Sequence, residues 1–178
     1  VMLAGAVRAY VNRFGVAPGR RVVLFTNNDD GWRSLRDLEA AGVTVGAVID
    51  PRADHGQNAN CRVLQGVVTG TRGRLGLSGV RVRMADGQSM WIEADCLAVS
   101  GGWNPNVHLS SHRGARPVWD EQAVGFVPAS PSETGMQVAG AVAGEYGRGS
   151  ALRGGVEAGC ASLELTTGAA KPAVDEVR

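Results

Sequence analysis

The run Arg21-Val22-Val23-Leu24-Phe25-Thr26-Asn27-Asn28-Asp29-Asp30-Gly31-Trp32-Arg33 constrains the fold most. Val22 to Phe25 is a short, uninterrupted apolar run, which reads as a strand buried on both faces. A polar turn follows, and then helical spacing: Trp32, Leu35 and Leu38 fall on one stripe, with Arg33, Arg36, Asp37 and Glu39 mostly off it. Gly42 marks the helix stop. Val43 to Ile49 is a second apolar strand, and it ends at Asp50. Strand, tight turn, helix, strand and terminal acid, with the acid about 20 residues past the turn, is the layout of a dinucleotide-binding βαβ unit. In that fingerprint glycines fill the first, third and sixth turn positions. Here those positions hold Thr26, Asn28 and Gly31.

The layout argues for the fold, and the substitutions argue against a phosphate on this turn. Side chains at the first two glycine positions keep the backbone away from a pyrophosphate. Asp29 and Asp30 sit where a helix N-terminus would otherwise attract an anion. Like charges about 4 Å apart repel by roughly 4 kcal/mol at an intermediate dielectric. Both aspartates also suit the helix N-cap. Asp50 has two readings: a ribose-binding carboxylate, or a residue that merely ends a strand before Pro51.

After a polar stretch from Arg52 to Asn60 that contains His55, the pattern changes. Val63–Val68, Gly79–Met84 and Ser89–Ile92 read as short strands, and Ala85-Asp86-Gly87-Gln88 as a hairpin turn. They predict a β-meander from about Arg62 to Glu93. Cys96–Ser100 is another buried strand, and it runs into Gly101-Gly102-Trp103-Asn104-Pro105. Upstream, Met2–Phe14 has helical spacing, with Leu3, Val7, Tyr10, Val11 and Phe14 on one face. Gly15 and Pro18-Gly19 end it. The fold class expected is therefore α/β: a Rossmann-like FAD/NAD(P)-binding domain, a parallel sheet with helices plus a β-meander.

Composition narrows the functional classes. A length of 178 residues supports one good core, and the net charge of +1 offers no case for nucleic acid or an anionic membrane. The 26 glycines are scattered, which excludes collagen-like and low-complexity chains. Cys61, Cys96 and Cys160 are far apart and form no C-x-x-C, so neither a zinc ribbon nor a redox dithiol is indicated. They read as small buried side chains. Unpaired thiols, with no secretory signal and no membrane-length apolar run in these residues, suggest a cytoplasmic setting. The chain opens on Val1 within a helix-like segment, which suggests a piece of a longer polypeptide. His108 and His112 lie near Ser110 and Ser111, but no oxyanion turn or orienting carboxylate accompanies them, so surface histidines are the simpler reading. Trp91, Trp103 and Trp119 read as core or interface residues. No metal-ligand spacing is present.

Several segments carry a family resemblance. Val99-Ser100-Gly101-Gly102-Trp103-Asn104-Pro105 is similar to the A-T-G-x-x-P turn of flavoproteins with two dinucleotide domains. Thr134-Gly135-Met136-Gln137-Val138-Ala139-Gly140-Ala141 is similar to their second flavin-domain motif, an apolar strand ending in Gly-Asp, with Ala141 in the Asp place. Ser150–Leu163 then reads as a return helix in which Gly154, Gly155 and Gly159 allow close approach. The stretch from Val1 to Gly19, Phe25–Asp30 and Ala98–Leu109 resemble the α-subunit family of heterotetrameric sarcosine oxidases, over nearly all of residues 1–165.

That resemblance implies an NAD(P)-binding-like Rossmann domain with its meander over residues 1–128. Residues 129–178 would be the return strand and helix of an adjoining, incomplete FAD-type domain, whose N-terminal half lies elsewhere in the parent. It implies a scaffold within an enzyme that demethylates sarcosine to glycine. NAD would be associated with the α subunit, and FAD and FMN would be held mainly through the partner β subunit, with further small subunits present. The alternatives are an α subunit of an opine or D-hydroxyproline dehydrogenase-like complex, and a ligand-free Rossmann domain that makes structural and subunit contacts. Dinucleotide contacts are expected at Gly101, Gly102, Gly140 and Ala141, with Asp50 and Gly31 as further candidates. No catalytic residue is expected.

Overall fold

The computed structural model describes residues 1–53, 59–112, 114–123, 125–131 and 135–163. His55 and Thr134 lie outside the described residues. The chain divides into two compact units, Val1–Gly102 and Trp103–Arg178.

The first unit runs β1 (Met2–Leu3), α1 (Ala4–Phe14), β2 (Val22–Thr26), α2 (Asp29–Ala40), β3 (Val45–Asp50), β4 (Arg62–Arg72), β5 (Gly79–Met84), β6 (Ser89–Ile92) and β7 (Cys96–Ser100). The sheet order is β1-β7-β2-β3-β4-β5-β6. The five strands from β1 to β4 in that order pair in parallel, while β5 and β6 add on antiparallel. As expected, Val22–Phe25 pairs in parallel with the strand ending at Asp50, with Phe25 opposite Ile49. β4 belongs to both arrangements. Its first residues pair in parallel with β3, and from Gly66 onward it pairs antiparallel with β5.

Both faces of the parallel strands are covered, which explains why they read as continuous apolar runs rather than alternating ones. Val22, Leu24, Val48, Cys96 and Ala98 pack beneath the helices, against Val7 and Val11 of α1 and Trp32, Leu35 and Leu38 of α2. Val23, Ala47, Ile49 and Leu97 face the other way, onto Val80 and Val82 of the meander. The meander thus lies over one face of the sheet, and the helices lie over the other. Each fully buried side chain of the α2 stripe contributes roughly 1.5–3 kcal/mol by leaving water. Gly42, at φ +73°, closes α2. The Val43 amide reaches the Leu38 carbonyl and the Gly42 amide reaches Glu39, which satisfies the last orphan carbonyls.

Three local expectations are corrected. Met2 and Leu3 are not helical: they pair with Ala98 and Val99 as an edge strand, and α1 begins at Ala4. The inward stripe of α1 is consequently Ala4, Val7 and Val11, while Leu3, Tyr10 and Phe14 are exposed. A small side chain at position 4 lets the first helical turn lie close to the sheet. Asn28, not an aspartate, caps α2. Its side chain accepts from the Asp30 and Gly31 amides, and the two aspartates occupy the first turn.

The second unit holds α3 (His108–Ser111), an antiparallel hairpin of β8 (Val118–Asp120) and β9 (Gly125–Val127), a 3-10 turn at Gly140–Ala143, and α4 (Arg148–Ser162). The expected apolar strand before Ala141 is not formed among the described residues. Residues 136–139 belong to no strand, and Gly140 and Ala141 lie in the 3-10 turn. A strand exists only with a neighbour to share its amides and carbonyls, and among the described residues β8 and β9 pair only with each other. The return helix does form, and none of its residues is buried. Trp103 and Trp119, like Trp91 of the first unit, are exposed rather than core residues.

Candidate functional site at the carboxyl edge of the sheet

Open α/β sheets bind ligands beyond the carboxyl ends of their strands, where the strand order reverses. In this chain that place lies between β2 and β7. β2 leads through α2 to β3 on one side, while β7 lies on its other side, with Thr26 opposite Ser100. The Thr26–Gly31 turn, Asp50 and the Ser100–Gly102 segment all converge on this edge.

The crevice is filled by the chain's own polar groups. The Asn28 amide nitrogen donates to the Ser100 carbonyl at 2.9 Å, and the Ser100 hydroxyl donates to Asn28 Oδ1 at 3.1 Å. The same Oδ1 accepts from the Asp30 and Gly31 amides at 3.1 and 3.3 Å. Those amides are the groups that would cradle a phosphate at a helix N-terminus. Thr26 holds the turn from below: its hydroxyl donates to the Asn28 carbonyl and accepts the Asn28 amide.

Gly31 is present for packing. A Cβ built on it would overlap the Thr26 side chain well inside van der Waals contact. This is the role of the third fingerprint glycine, which allows helix and strand to approach closely. It makes no opening for a ligand.

Asp50 is 1% exposed. Its carboxylate accepts from the Trp32 indole at 2.9 Å, from the Arg52 backbone amide at 3.0 Å and from the Arg52 guanidinium at 2.9–3.3 Å. Burial alone would push its pKa up. The hydrogen bonds from Arg52 and Trp32, with the Arg52 charge, outweigh this and hold it below the ordinary carboxylate value. Arg52 is raised in turn, chiefly by Asp50. Its guanidinium also reaches Asp29 at 2.9 Å, while Arg8 approaches Asp30 at 3.5 Å and Asp37 at 2.7 Å. Both turn aspartates therefore have cations beside them, which offsets the repulsion expected from their adjacency. Sequence reasoning located Asp50 but missed Arg52, although an arginine two residues past a strand-terminal acid was the available signal.

A pyrophosphate does not fit this first turn. The Asp30 and Gly31 amides are capped, the first two glycine positions carry side chains, and the ribose-position acid is engaged. The end of β7 is different. A Cβ on Gly101 would meet nothing within 4 Å, and Gly102 has φ +91°, which a side chain rarely adopts. In the second unit, Gly140 has φ +68° and faces Ala151 across ordinary contact, and Ala141 is exposed. That unit also holds an open cavity of about 250 Å³ bordered by Gln137, Glu145, Gly154 and Glu157.

Other chemistry is sparse. No group of three or more His, Cys, Asp or Glu among the described residues could hold a metal ion. No described helix is long and apolar enough to cross a membrane. The cysteines are free thiols. Burial pushes the Cys61 and Cys96 pKa values up, which disfavours the reactive thiolate. The Ser110 and Ser111 hydroxyls both donate to the Val107 carbonyl, as ordinary helix-start contacts.

No family model matches the chain. It is similar to the sarcosine oxidase α subunit of Rhizobium meliloti (strain 1021), with 43% identity over 155 residues, or 85% of this chain and 16% of the relative. It is 40% identical over 176 residues to the sarcosine oxidase α subunit of Corynebacterium sp. (strain P-1), covering 91% of this chain and 18% of that protein. The chain thus spans about a sixth of the length of these curated relatives, and over that span it is their plain homologue. Among solved structures, the L-proline dehydrogenase of P. horikoshii superposes with a TM-score of 0.58 at 16% identity, over 89% of this chain and 29% of that one. At that identity the likeness speaks for the fold alone, and the fold is the Rossmann-like α/β type expected.

Proposed function

We propose that this relative of the sarcosine oxidase α subunit works as a dinucleotide-type scaffold inside a multisubunit amine-oxidising flavoenzyme, with its own first nucleotide turn closed. The parent reaction in this reading is the oxidative demethylation of sarcosine to glycine. FAD and FMN act mainly through a partner β subunit, and NAD is associated with the parent α subunit. The sequence identity to the sarcosine oxidase relatives supports the family part of the reading. The closed turn rests on one observation: Asn28 bonds at once to the α2 amides and to Ser100. A side-chain amide there supplies, from within the chain, the contacts a phosphate would make.

In this role the residues position rather than react. Asn28 ties the start of α2 to the end of β7. Asp50 and Arg52 fix the end of β3 to the indole of α2 and to Asp29. A second reading keeps a dinucleotide on the chain at Gly101 and Gly102, with Gly140 and Ala141 as separate candidates in the second unit. The open space at Gly101 and the positive φ of Gly102 favour the first pair.

Calorimetric titration with NAD tests both. The unmodified chain is expected to show no affinity stronger than about 1 mM. The triple variant Asn28→Gly, Asp29→Gly, Asp30→Gly is expected to gain weak binding that depends on Asp50. Binding to the unmodified chain that disappears in Asp50→Ala, with the fold intact by circular dichroism, refutes the closed turn. Binding that ignores Asp50 but disappears in Gly101→Val supports the second reading.

A further inference from the structure

The outer face of the meander is strongly basic. Arg72, Arg81 and Arg83 lie on it and Arg74 in the adjoining turn, in a chain whose total charge is only +1; the meander's two acids are Asp86 in the hairpin turn and Glu93, which pairs with Arg21. The inward side chains of β5 are Val80 and Val82, both buried. Arg81 and Arg83 alternate with them and point outward, exposed. Cross-strand from Arg81 on β6 stands Trp91, 43% exposed. The Arg72 guanidinium lies 4.9 Å above its ring. Arg74 is exposed in the adjoining turn. None of Arg72, Arg74, Arg81 and Arg83 forms an ion pair with a described carboxylate, although Arg8, Arg21 and Arg52 elsewhere in this unit all do.

We infer that this face, Arg72, Arg81, Arg83 and Trp91, is a docking surface for a carboxylate-bearing surface of a partner protein in the assembly. The inference rests on the reading above that the chain works within a multisubunit complex. Clustered like charges destabilise an isolated sheet face. Opposing carboxylates turn that cost into attraction, and the planar guanidinium fork matches a carboxylate with two parallel bonds. Trp91 lies beneath Arg72 and holds that guanidinium over the face by a cation–π contact. Two features weigh against a nucleic acid. Arg72 already covers the Trp91 ring that a base would stack on. The patch is also three strands wide, about 10 Å, with Arg81 and Arg83 about 7 Å apart, too short a track to follow a phosphate backbone.

The test uses the complete α-subunit-type polypeptide co-expressed with its partner subunits, and measures assembly by analytical ultracentrifugation. Arg81→Glu/Arg83→Glu is compared with Arg20→Glu/Arg33→Glu, an equal charge change at exposed positions off this face. Circular dichroism checks the fold of each. The expected result is an apparent dissociation constant raised about tenfold or more for the meander pair at about 50 mM salt, shrinking to about threefold or less at about 0.5 M. The control pair should stay near wild type. Assembly of the meander variant at wild-type strength overturns this inference alone. So does a control pair that weakens assembly equally, which would make the effect one of net charge. So does assembly left intact while binding to a DNA duplex or to phosphatidylserine vesicles is lost. A wild-type polypeptide that assembles with nothing overturns the complex reading and this inference together.

Discussion

Asp50→Ala is the sharpest perturbation of the closed turn. It removes the carboxylate that accepts the Trp32 indole N–H at 2.9 Å, beneath a side chain with no solvent exposure. A buried donor deprived of its acceptor costs about 1–3 kcal/mol. It also releases Arg52, whose side chain is 32% exposed. That charge can rehydrate, so the full penalty of about 3–5 kcal/mol for a broken buried pair does not apply. A loss of about 2–4 kcal/mol in unfolding free energy follows, with about half of that for Asp50→Asn, which keeps one acceptor oxygen. Urea unfolding followed by far-ultraviolet circular dichroism measures it. The pH dependence has a definite sign. Because the folded pKa of Asp50 is lowered, its contribution is present above the unfolded value of about 3.9 and disappears as pH falls through the lower folded value. Asp50→Asn should therefore flatten part of the acid limb of the stability curve. A loss under about 1 kcal/mol for Asp50→Ala, with an unchanged acid limb, would refute the argument that this network holds the turn.

Gly31→Ala drives a methyl into Thr26 and should cost about 1–3 kcal/mol by overpacking, partly relieved by Thr26→Ala in the same chain; equal stabilities would refute the packing role. Asn28→Ala removes the cap of α2 and its tie to Ser100, and should cost about 1–2 kcal/mol in the same assay. The chain alone, given sarcosine and oxygen without added flavoprotein, should yield no hydrogen peroxide in a peroxidase-coupled assay.

The fold was legible where one-dimensional patterns carry it. Val22–Phe25, the Trp32-Leu35-Leu38 stripe and the Ala85–Gln88 hairpin all formed, because run length, helical spacing and turn chemistry are local signals. The candidate site was legible only in outline. Thr26 and Asn28 were visible as departures from glycine, but that Asn28 spans from α2 to Ser100 is a contact across 72 positions of sequence. Asp50 stood in the expected place, yet its engagement by the Trp32 indole depended on how α2 lies on the sheet. The α1 face was misread because Met2–Leu3 joins the sheet, which only the return of β7 makes possible. The strand anticipated before Ala141 shows the same limit, since its sequence cannot supply the neighbour that a ladder requires.

The strand order has a consequence for how this chain reaches its folded state. β7 is the last strand of the first unit to be made, and it is inserted between the first two, β1 and β2. Met2 and Leu3 have no other ladder partner among the described residues, and Val22 waits some seventy residues for Cys96. On the ribosome, β2, β3 and the meander can associate as they emerge, but the edge of β2 stays open until Ser100 has been synthesised. The loop closed by that final pairing is long, and contacts of such separation form late. Until then an apolar strand destined for the core presents unpaired amides and carbonyls, the geometry most prone to joining the wrong chain. Ribosome-bound nascent chains stalled just before Cys96 should therefore be the most aggregation-prone lengths of this unit, and those extended past Gly102 the first to resist protease at β2.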